Sequence, residues 1–213
     1  MDCVEKLLVR RPELAGAIPA LRSLIAETTA CLKSGGSFFV AGNGGSAADS
    51  DHICGELLKG FMQKRPLPEA EKKKFSELFG AEGADFAAKL QGGLRAISLL
   101  SHPGFSSAFA NDVDAELVYA QQLWALAKKG DVLLGISTGG GSKNVKAALM
   151  AAKVLGVKSF LLTGNKHGVC EKYADRVIAV DESETYLIQE LHLPLYHAFC
   201  TAVEAEMFGG EGC

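Results

Sequence analysis

The segment 37–60, SFFVAGNGGSAADSDHICGELLKG, constrains the fold more than any other part of the chain. It begins with the apolar run 38–41, which is too short for a buried helix and therefore predicts a buried strand. The glycine-rich turn 42–46 follows, and residues 47–58 are mostly helix formers. A strand, a glycine-rich turn and a helix form an anion site in many parallel α/β proteins, because the helix start offers free N–H groups and a positive dipole end.

The same segment carries a pair of side chains suited to proton transfer. His52 and Glu56 are four residues apart, so they share one face of the predicted helix. The turn matches neither the GxxxxGK[ST] pattern of a P-loop nor the GxGxxG dinucleotide pattern, and alone it is equally consistent with an ordinary tight turn. Together, the turn and the His/Glu pair suggest a site that holds and transforms a phosphorylated substrate.

A second turn of the same kind occurs later in the chain. Residues 131–136 predict a strand, the turn 137–142 reads STGGGS, and residues 143–155 predict a helix. Turns that follow parallel strands meet at the same edge of the sheet, which is where open α/β sheets bind ligands. The repetition therefore favours a phosphate site over two unrelated tight turns.

Composition indicates a globular protein of one domain. The chain has 213 residues, is 48% hydrophobic, and contains no apolar run near the roughly 18 residues that a membrane span needs. Its first residues lack the apolar core of a signal peptide, and the net charge of −3 argues against non-specific nucleic-acid binding. The six cysteines form no CxxC pair, so we interpret them as reduced, mostly buried residues of a cytoplasmic protein.

The order of predicted elements indicates the fold class. Helices are expected over residues 2–33, with a break near Pro12 and a second helix opened by Pro19. Strands are expected at 38–41, 96–100, 131–136, 159–163 and 176–180. Their alternation with helices predicts a three-layer α/β/α protein with a parallel sheet.

Three further segments complete this prediction. Residues 62–94 are expected to form an irregular, insertion-like region of loop and helix. A loop is expected before a helix over 115–128, with Asn111 and Asp112 in the capping region. A long last helix is expected over 185–208, with a kink at Pro194.

Four motifs, in order, carry a family resemblance: AGNGGSAADSDHICGEL, AND, GDVLLGISTGGGSKNVKAA and IQELHLPLYH. They resemble the sugar isomerase (SIS) domain family and, within it, the sedoheptulose 7-phosphate (phosphoheptose) isomerases. The resemblance covers nearly the whole chain, so residues 1–213 are expected to form a single SIS domain with a flavodoxin-like five-stranded parallel sheet. It implies ketose–aldose isomerisation of a phosphorylated sugar by a homotetramer with active sites at subunit boundaries.

The resemblance also implies roles for individual residues. Glu56 and His197 correspond to the acid/base pair, and the expected zinc ligands are His52, Glu56, Gln189 and His197. Glutamine is an unusual zinc ligand, so we expect weak or substrate-assisted metal binding. The expected substrate contacts are Asn43, Gly44, Gly45, Ser46, Glu56, Asn111, Asp112, Ser137, Thr138, Gly139, Ser142 and Gln189.

The chemistry of isomerisation fits these residue types. Moving a proton between adjacent carbons through an enediol(ate) needs one base for the C–H proton and a partner that moves a proton on oxygen. A zinc ion would polarise the carbonyl. Gln189 and His197 are eight residues apart, which splays them by roughly 80° on an ideal helix, so the kink at Pro194 is expected to help them converge.

Three departures from the family pattern leave the substrate open. The second turn reads STGGGS where the family usually has STSGNS, Lys59 stands near the place of a usual arginine, and the 62–94 region is longer than is typical. An isomerase of another sugar phosphate therefore remains an alternative. So does a non-catalytic regulator or adaptor that binds sugar phosphates.

Overall fold

The computed structural model describes residues 1–210 and contains a parallel five-stranded sheet of order β2-β1-β3-β4-β5. Each predicted strand is present, and its ends lie within two residues of the predicted ones. The strands are β1 (Phe38–Ala41), β2 (Ala96–Ser98), β3 (Val132–Ile136), β4 (Lys158–Thr163) and β5 (Arg176–Ala179).

The helices lie between and around these strands, and the expected break near Pro12 is a 3₁₀ turn over Pro12–Ala17. Pro19 lies in the first turn of the second helix, where its missing N–H has no partner to lose. The helices are α1 (Cys3–Arg10), α2 (Ile18–Lys33), α3 (Gly45–Leu58), α4 (Glu69–Lys89), α5 (Pro103–Phe109), α6 (Val118–Leu126), α7 (Lys143–Leu155) and α8 (Thr185–Phe208).

Alternate side chains of the strands face two separate helix layers. In β1, Phe38 and Val40 join a core with α1, α2, α3 and α8, whereas Phe39 and Ala41 join a core with α6 and α7. All four side chains are fully buried, as a strand covered on both faces requires. The predicted three-layer α/β/α architecture is therefore confirmed.

The strand order places the two glycine-rich turns side by side. Strands β1 and β3 are parallel neighbours that pair Ala41 with Gly135. The connection after β1 leads to one side of the sheet, to β2, and the later connections lead to the other side, from β3 to β5. Turns 42–46 and 137–142 follow β1 and β3 directly. They flank the topological switch point, where sheets of this order bind their ligands.

The predicted loop before residue 115 is wrong. Helix α5 leads into a π-helical turn over Ala110–Asp114, a 3₁₀ turn over Ala115–Leu117, and then α6. Pro103 suits the first turn of a helix, so the segment starts a helix where the sequence pattern indicated a strand end. The capping side chain is Asp114, which accepts the N–H of Glu116 at 2.7 Å.

The 62–94 region is built around α4, which bends sharply at Gly80. Gly80 has φ +61°, and the two halves of the helix fold toward each other at that residue. The fold brings the Phe75 ring within 5.7 Å of the Phe86 ring and 6.5 Å of the Phe79 ring. Whether this region is an insertion stays a prediction.

Helix α8 runs through Pro194 from Thr185 to Phe208 as one helix. It packs against α1, α2 and α3 in the first core. None of the helices within residues 1–210 is both long and apolar enough to cross a membrane.

The cysteines match the expectation in part. Cys31, Cys54, Cys170 and Cys200 are free and buried. Burial raises the pKa of Cys54 to about 12, so this thiol stays protonated and unreactive near neutral pH. The expectation of reduced cysteines is wrong for Cys3, which is disulfide-bonded, and Cys213 lies outside the described residues.

His192 is a fully buried histidine on α8. Neither ring nitrogen makes a hydrogen bond of good geometry within residues 1–210, and a weak interaction with the backbone of Thr163 only partly favours the charged ring. Burial disfavours the charged ring and lowers the pKa of His192 from 6.5 to about 4. The unfolded chain therefore binds a proton at this position more readily than the folded chain does.

This difference predicts loss of stability in acid. Stability from neutral His192 is complete above its unfolded pKa and declines as the pH falls from 6.5 to about 4, by up to about 3 kcal/mol. We expect the urea unfolding midpoint of His192→Leu to fall less than that of the wild type as the pH is lowered from 6.5 to about 4. His102→Leu, at an exposed histidine, is the control and should keep the wild-type decline. Equal acid sensitivity in the His192 variant and the wild type would contradict the assignment.

Candidate active site

The first glycine-rich turn holds its helix start against α8. Gly44 has φ +57°, and a Cβ at Gly42 would lie 2.5 Å from the carbonyl oxygen of Ser46. A Cβ at Gly45 would collide with the side-chain amide of Gln189. The glycines therefore allow Gln189 to lie directly on the turn.

The second turn is shaped by a neighbouring loop. Gly140 has φ +64°, and any Cβ there would collide with the carbonyl of His167. Ser137 and Ser142 hydrogen-bond through their hydroxyls at 2.9 Å across the turn. Gly139 is exposed and has no atom within 4 Å of its Cβ position, so the outer surface of this turn is open.

The sequence analysis missed two residues here: Asn144, which joins the second turn to the first, and Tyr119, which ties the first turn to α6. Asn43 and Asn144 exchange amide hydrogen bonds of 2.8 and 2.9 Å. The hydroxyl of Tyr119 donates to the carbonyl of Gly42 at 2.6 Å. Asn144 lies in the first turn of α7, directly after the serine-rich motif, and this position was the only signal of its role in the sequence. The turns therefore form one hydrogen-bonded unit.

Three of the predicted residues meet where α3 packs on α8. His52 Nε2 lies 3.4 Å from Glu56 Oε1, and the rings of His52 and His197 are 5.1 Å apart in an edge-on arrangement. The Glu56 side chain is only 15% exposed, and its second oxygen accepts from Lys59 Nζ at 2.7 Å. Lys59 thus supplies a cation directly to the predicted acid/base carboxylate.

A buried tyrosine fixes the orientation of the His52 ring. Tyr196 OH donates to Asp49 Oδ1 at 3.1 Å and lies 3.1 Å from His52 Nδ1. Because its one proton is directed to Asp49, this hydroxyl accepts from Nδ1 of His52, and Nε2 of the same ring faces the Glu56 carboxylate. Burial raises the pKa of the Tyr196 hydroxyl and of the Asp49 carboxyl.

His197 has an unpaired ring nitrogen and lines a cavity. Its Nε2 is buried and has no hydrogen-bond partner within the described part of the chain. Burial, followed by the charge of His52, lowers the pKa of His197, so the ring is neutral near pH 7 and can take up a proton. A cavity of about 640 Å³ opens beside it, with Phe61, Thr201 and Arg10 in its walls.

The remaining predicted residues lie elsewhere. Gln189 is eight residues from His197 on the same helix, a rise of about 12 Å, and it lies against Gly45 instead. Asn111 and Asp112 are exposed on the π-helical turn, where the amide of Asn111 donates to Asp112 at 2.9 Å.

The predicted zinc ligands therefore do not complete a metal site within one chain. Over residues 1–210, no three His, Cys, Asp or Glu side chains form a group that could hold a metal ion. Nε2 of His52, the Glu56 carboxylate and the unpaired Nε2 of His197 are suitable donors, but Gln189 is too distant to join them. No chemical step is assigned to a metal on this geometry.

Comparison with known proteins agrees with this architecture. The SIS domain family model matches residues 107–205. Phosphoheptose isomerase of Crocosphaera subtropica is 34% identical over 212 residues, covering 100% of this chain and 92% of its own. The enzyme of that name from Burkholderia pseudomallei is 37% identical over 185 residues, covering 85% and 81%.

Solved structures show the same relationship. The phosphoheptose isomerase GmhA of Neisseria gonorrhoeae superposes with a TM-score of 0.67 at 27% identity, over 93% of this chain and 98% of that one. A phosphoheptose isomerase from Francisella tularensis superposes with a TM-score of 0.72 at 24% identity, over 95% and 98%, and shares the fold. The chain therefore belongs to the phosphoheptose isomerase family of SIS-domain proteins.

Proposed function

We propose that this chain is an aldose–ketose isomerase that converts sedoheptulose 7-phosphate into D-glycero-D-manno-heptose 7-phosphate. The observation that carries the proposal is the cluster in which His52 contacts both the Glu56 carboxylate, at 3.4 Å, and the His197 ring, at 5.1 Å between ring centres, beside a cavity that His197 lines. A carboxylate and a neutral imidazole are the two groups that enediol chemistry needs. The name of the relatives, phosphoheptose isomerase, supports a heptose phosphate as the substrate class, and the family resemblance implies the substrate pair.

The phosphate would bind at the two joined turns. Ser142 is the N-cap residue of α7, so backbone N–H groups and the positive end of the helix dipole face an anion there. The ammonium of Lys143 is paired with Glu116 at 2.6 Å and adds little free charge. Binding at this turn therefore rests on the backbone and on the hydroxyls of Ser137, Thr138 and Ser142.

Proton transfer would fall to the α3/α8 cluster. The Glu56 carboxylate removes the proton from C1 of the ketose and returns a proton to C2 of the enediolate. The neutral imidazole of His197 moves a proton between the C1 hydroxyl and the C2 oxygen, so the charges balance at each step. Tyr196 and Asp49 hold the His52 ring beside this pair and keep its Nδ1 protonated.

Replacement of either acid/base residue should abolish turnover while leaving the fold intact. We expect Glu56→Gln and His197→Gln to lower kcat/KM by about 10²- to 10⁴-fold, because each removes a proton-transfer group. The measurement is aldose formation from sedoheptulose 7-phosphate, with thermal melting as the folding check. Glu190→Gln, at an exposed position on α8, is the matched control and should retain activity. Activity within threefold of wild type in both variants would contradict the proposal.

We also propose that the active form is a homo-oligomer, a tetramer by family resemblance, whose sites combine residues of two chains. Glu56 lies eleven residues beyond Gly45, about 16 Å along α3. An extended substrate spans about 9 Å from C2 to its phosphate at roughly 1.2 Å per bond. The substrate is therefore too short to reach from the turn to Glu56 of the same chain. It could reach from the turn of one chain to the acid/base pair of another.

Mixing of inactive variants tests this arrangement. Glu56→Gln and Gln189→Ala chains, unfolded together and reassembled, should recover activity if each site draws the two residues from different subunits. Random assortment then gives about a quarter of the sites with neither mutation. Recovery to about that level, with none in either variant reassembled alone, is the expected result. No recovery in the mixture would contradict shared sites.

Zinc at this site is a further part of the proposal. His52, Glu56 and His197 would hold the ion with Gln189 from a second copy, and the ion would polarise the substrate carbonyl. Purified wild-type protein should retain zinc on dialysis against weak chelators, and His52→Ala should lose it, as read by elemental analysis. His102→Ala is the control for histidine removal in general. Equal zinc content in the wild type and the His52 variant would exclude the site.

The identity of the sugar and the compartment need separate tests. The open surface at Gly139 and Gly141 favours tolerance of other sugar phosphates, which a panel of ketose and aldose phosphates would reveal. A clear preference for a pentose or hexose phosphate would replace the heptose assignment. We propose a cytoplasmic location because Cys31, Cys54, Cys170 and Cys200 are free; the disulfide at Cys3 argues for an oxidising compartment instead, and cell fractionation decides between the two.

A further inference from the structure

A buried ion pair joins the far ends of α3 and α8. Arg65 Nε donates to Glu204 Oε1 at 2.7 Å, and both side chains are fully buried. The desolvation of two charges often costs more free energy than their attraction returns. The role of this pair therefore has to be sought in the other groups that it holds.

Arg65 holds the end of the helix that carries Glu56. The last turn of α3 leaves carbonyl groups without intrahelical partners. Arg65 donates to the carbonyl of Leu57 at 2.8 Å and to the carbonyl of Glu56 at 3.2 Å. A guanidinium suits this place because its planar fork reaches several acceptors and its charge matches the negative end of the helix dipole.

Glu204 holds the segment that contacts His197. One carboxylate oxygen accepts the N–H of Phe61 at 2.8 Å, and the other accepts the N–H of Met62 at 2.7 Å. The Phe61 ring lies 5.5 Å from the His197 ring. The position of the Phe61 ring therefore depends on the Glu204 carboxylate, and the packing of the His197 ring depends on Phe61.

We propose that Arg65 and Glu204 are positioning residues that set the geometry of both members of the acid/base pair. Arg65 acts through the backbone of Glu56, and Glu204 acts through Phe61 on His197. Neither side chain reaches solvent or a ligand. The inference rests on the proposed isomerase function. It adds to that function two residues that are 139 positions apart in the sequence.

Two variants separate positioning from folding. Arg65→Lys keeps the buried charge pair but loses the fork that reaches both α3 carbonyls. Arg65→Met with Glu204→Met replaces the pair by apolar side chains of similar volume and removes the acceptor of the Phe61 and Met62 N–H groups, so a lower melting temperature is expected. We expect both to lower kcat by about 10- to 100-fold, because a small displacement of catalytic groups has that effect. KM should stay within about threefold, since no phosphate contact changes.

Leu123→Ala is the control for lost stability. Leu123 is fully buried in the second core, on the opposite face of the sheet. Its truncation therefore weakens the fold without touching the Arg65–Glu204 pair, which we call the clamp. At an equal loss of melting temperature, this control should keep the wild-type kcat. The proposal is overturned if the two clamp variants keep kcat within twofold, or if Leu123→Ala loses as much activity at the same melting temperature.

Histidine NMR of the substrate-free protein gives a readout that does not depend on activity. The His197 ring signals, assigned by their absence in His197→Gln, should shift in both clamp variants and stay unchanged in Leu123→Ala. Unshifted His197 signals in both clamp variants overturn the inference. If wild-type protein lacks isomerase activity, the proposed function fails, while these signals still decide whether the clamp sets the His197 environment.

Discussion

Helices α3 and α8 pack side by side and in parallel, and three sets of contacts hold their register. Gly45 meets Gln189 at one end, Asp49 and His52 bond to Tyr196 in the middle, and Arg65 links the end of α3 to Glu204. This register brings Glu56 beside His197 and keeps Gln189 about two turns away. The register of α3 and α8 therefore decides which candidate residues lie together.

The fold separates recognition from chemistry along the length of these helices. The two glycine-rich turns lie at the switch point of the sheet, joined by the Asn43–Asn144 amide pair. The acid/base cluster lies farther down α3, away from the sheet edge. A single chain thus places the proposed phosphate-binding turns and the proposed proton-transfer residues at different points along α3. This division is why we propose that assembly completes the site.

Local patterns predicted most of the fold. Short apolar runs bounded by glycine, such as 38–41 and 132–136, gave strands whose ends agree with the structure, because burial on both faces of a parallel sheet leaves a clear signal. The segment 103–117 was missed because its helix begins at Pro103 within what resembled a turn. Tertiary context decided that segment.

The candidate site was predictable only in part. The spacing of His52 and Glu56 placed both on one helix face, and the structure agrees. Gln189 and His197 belong to one motif, and their eight-residue spacing already indicates a rise of about 12 Å on a helix; the contact of Gln189 with Gly45 had no signal in the sequence. Arg65 and Glu204 had no local signal, because their contact joins residues 139 positions apart. Long-range polar contacts of this kind leave no periodicity in a sequence.

The central claim is proton transfer by Glu56 and His197 through an enediol(ate), and turnover in D₂O tests it most directly. Aldose formed from sedoheptulose 7-phosphate is analysed by NMR for deuterium at C2. The account predicts solvent deuterium at C2 in the wild-type product and no product from Glu56→Gln. Product formed at the wild-type rate by the variant would contradict it.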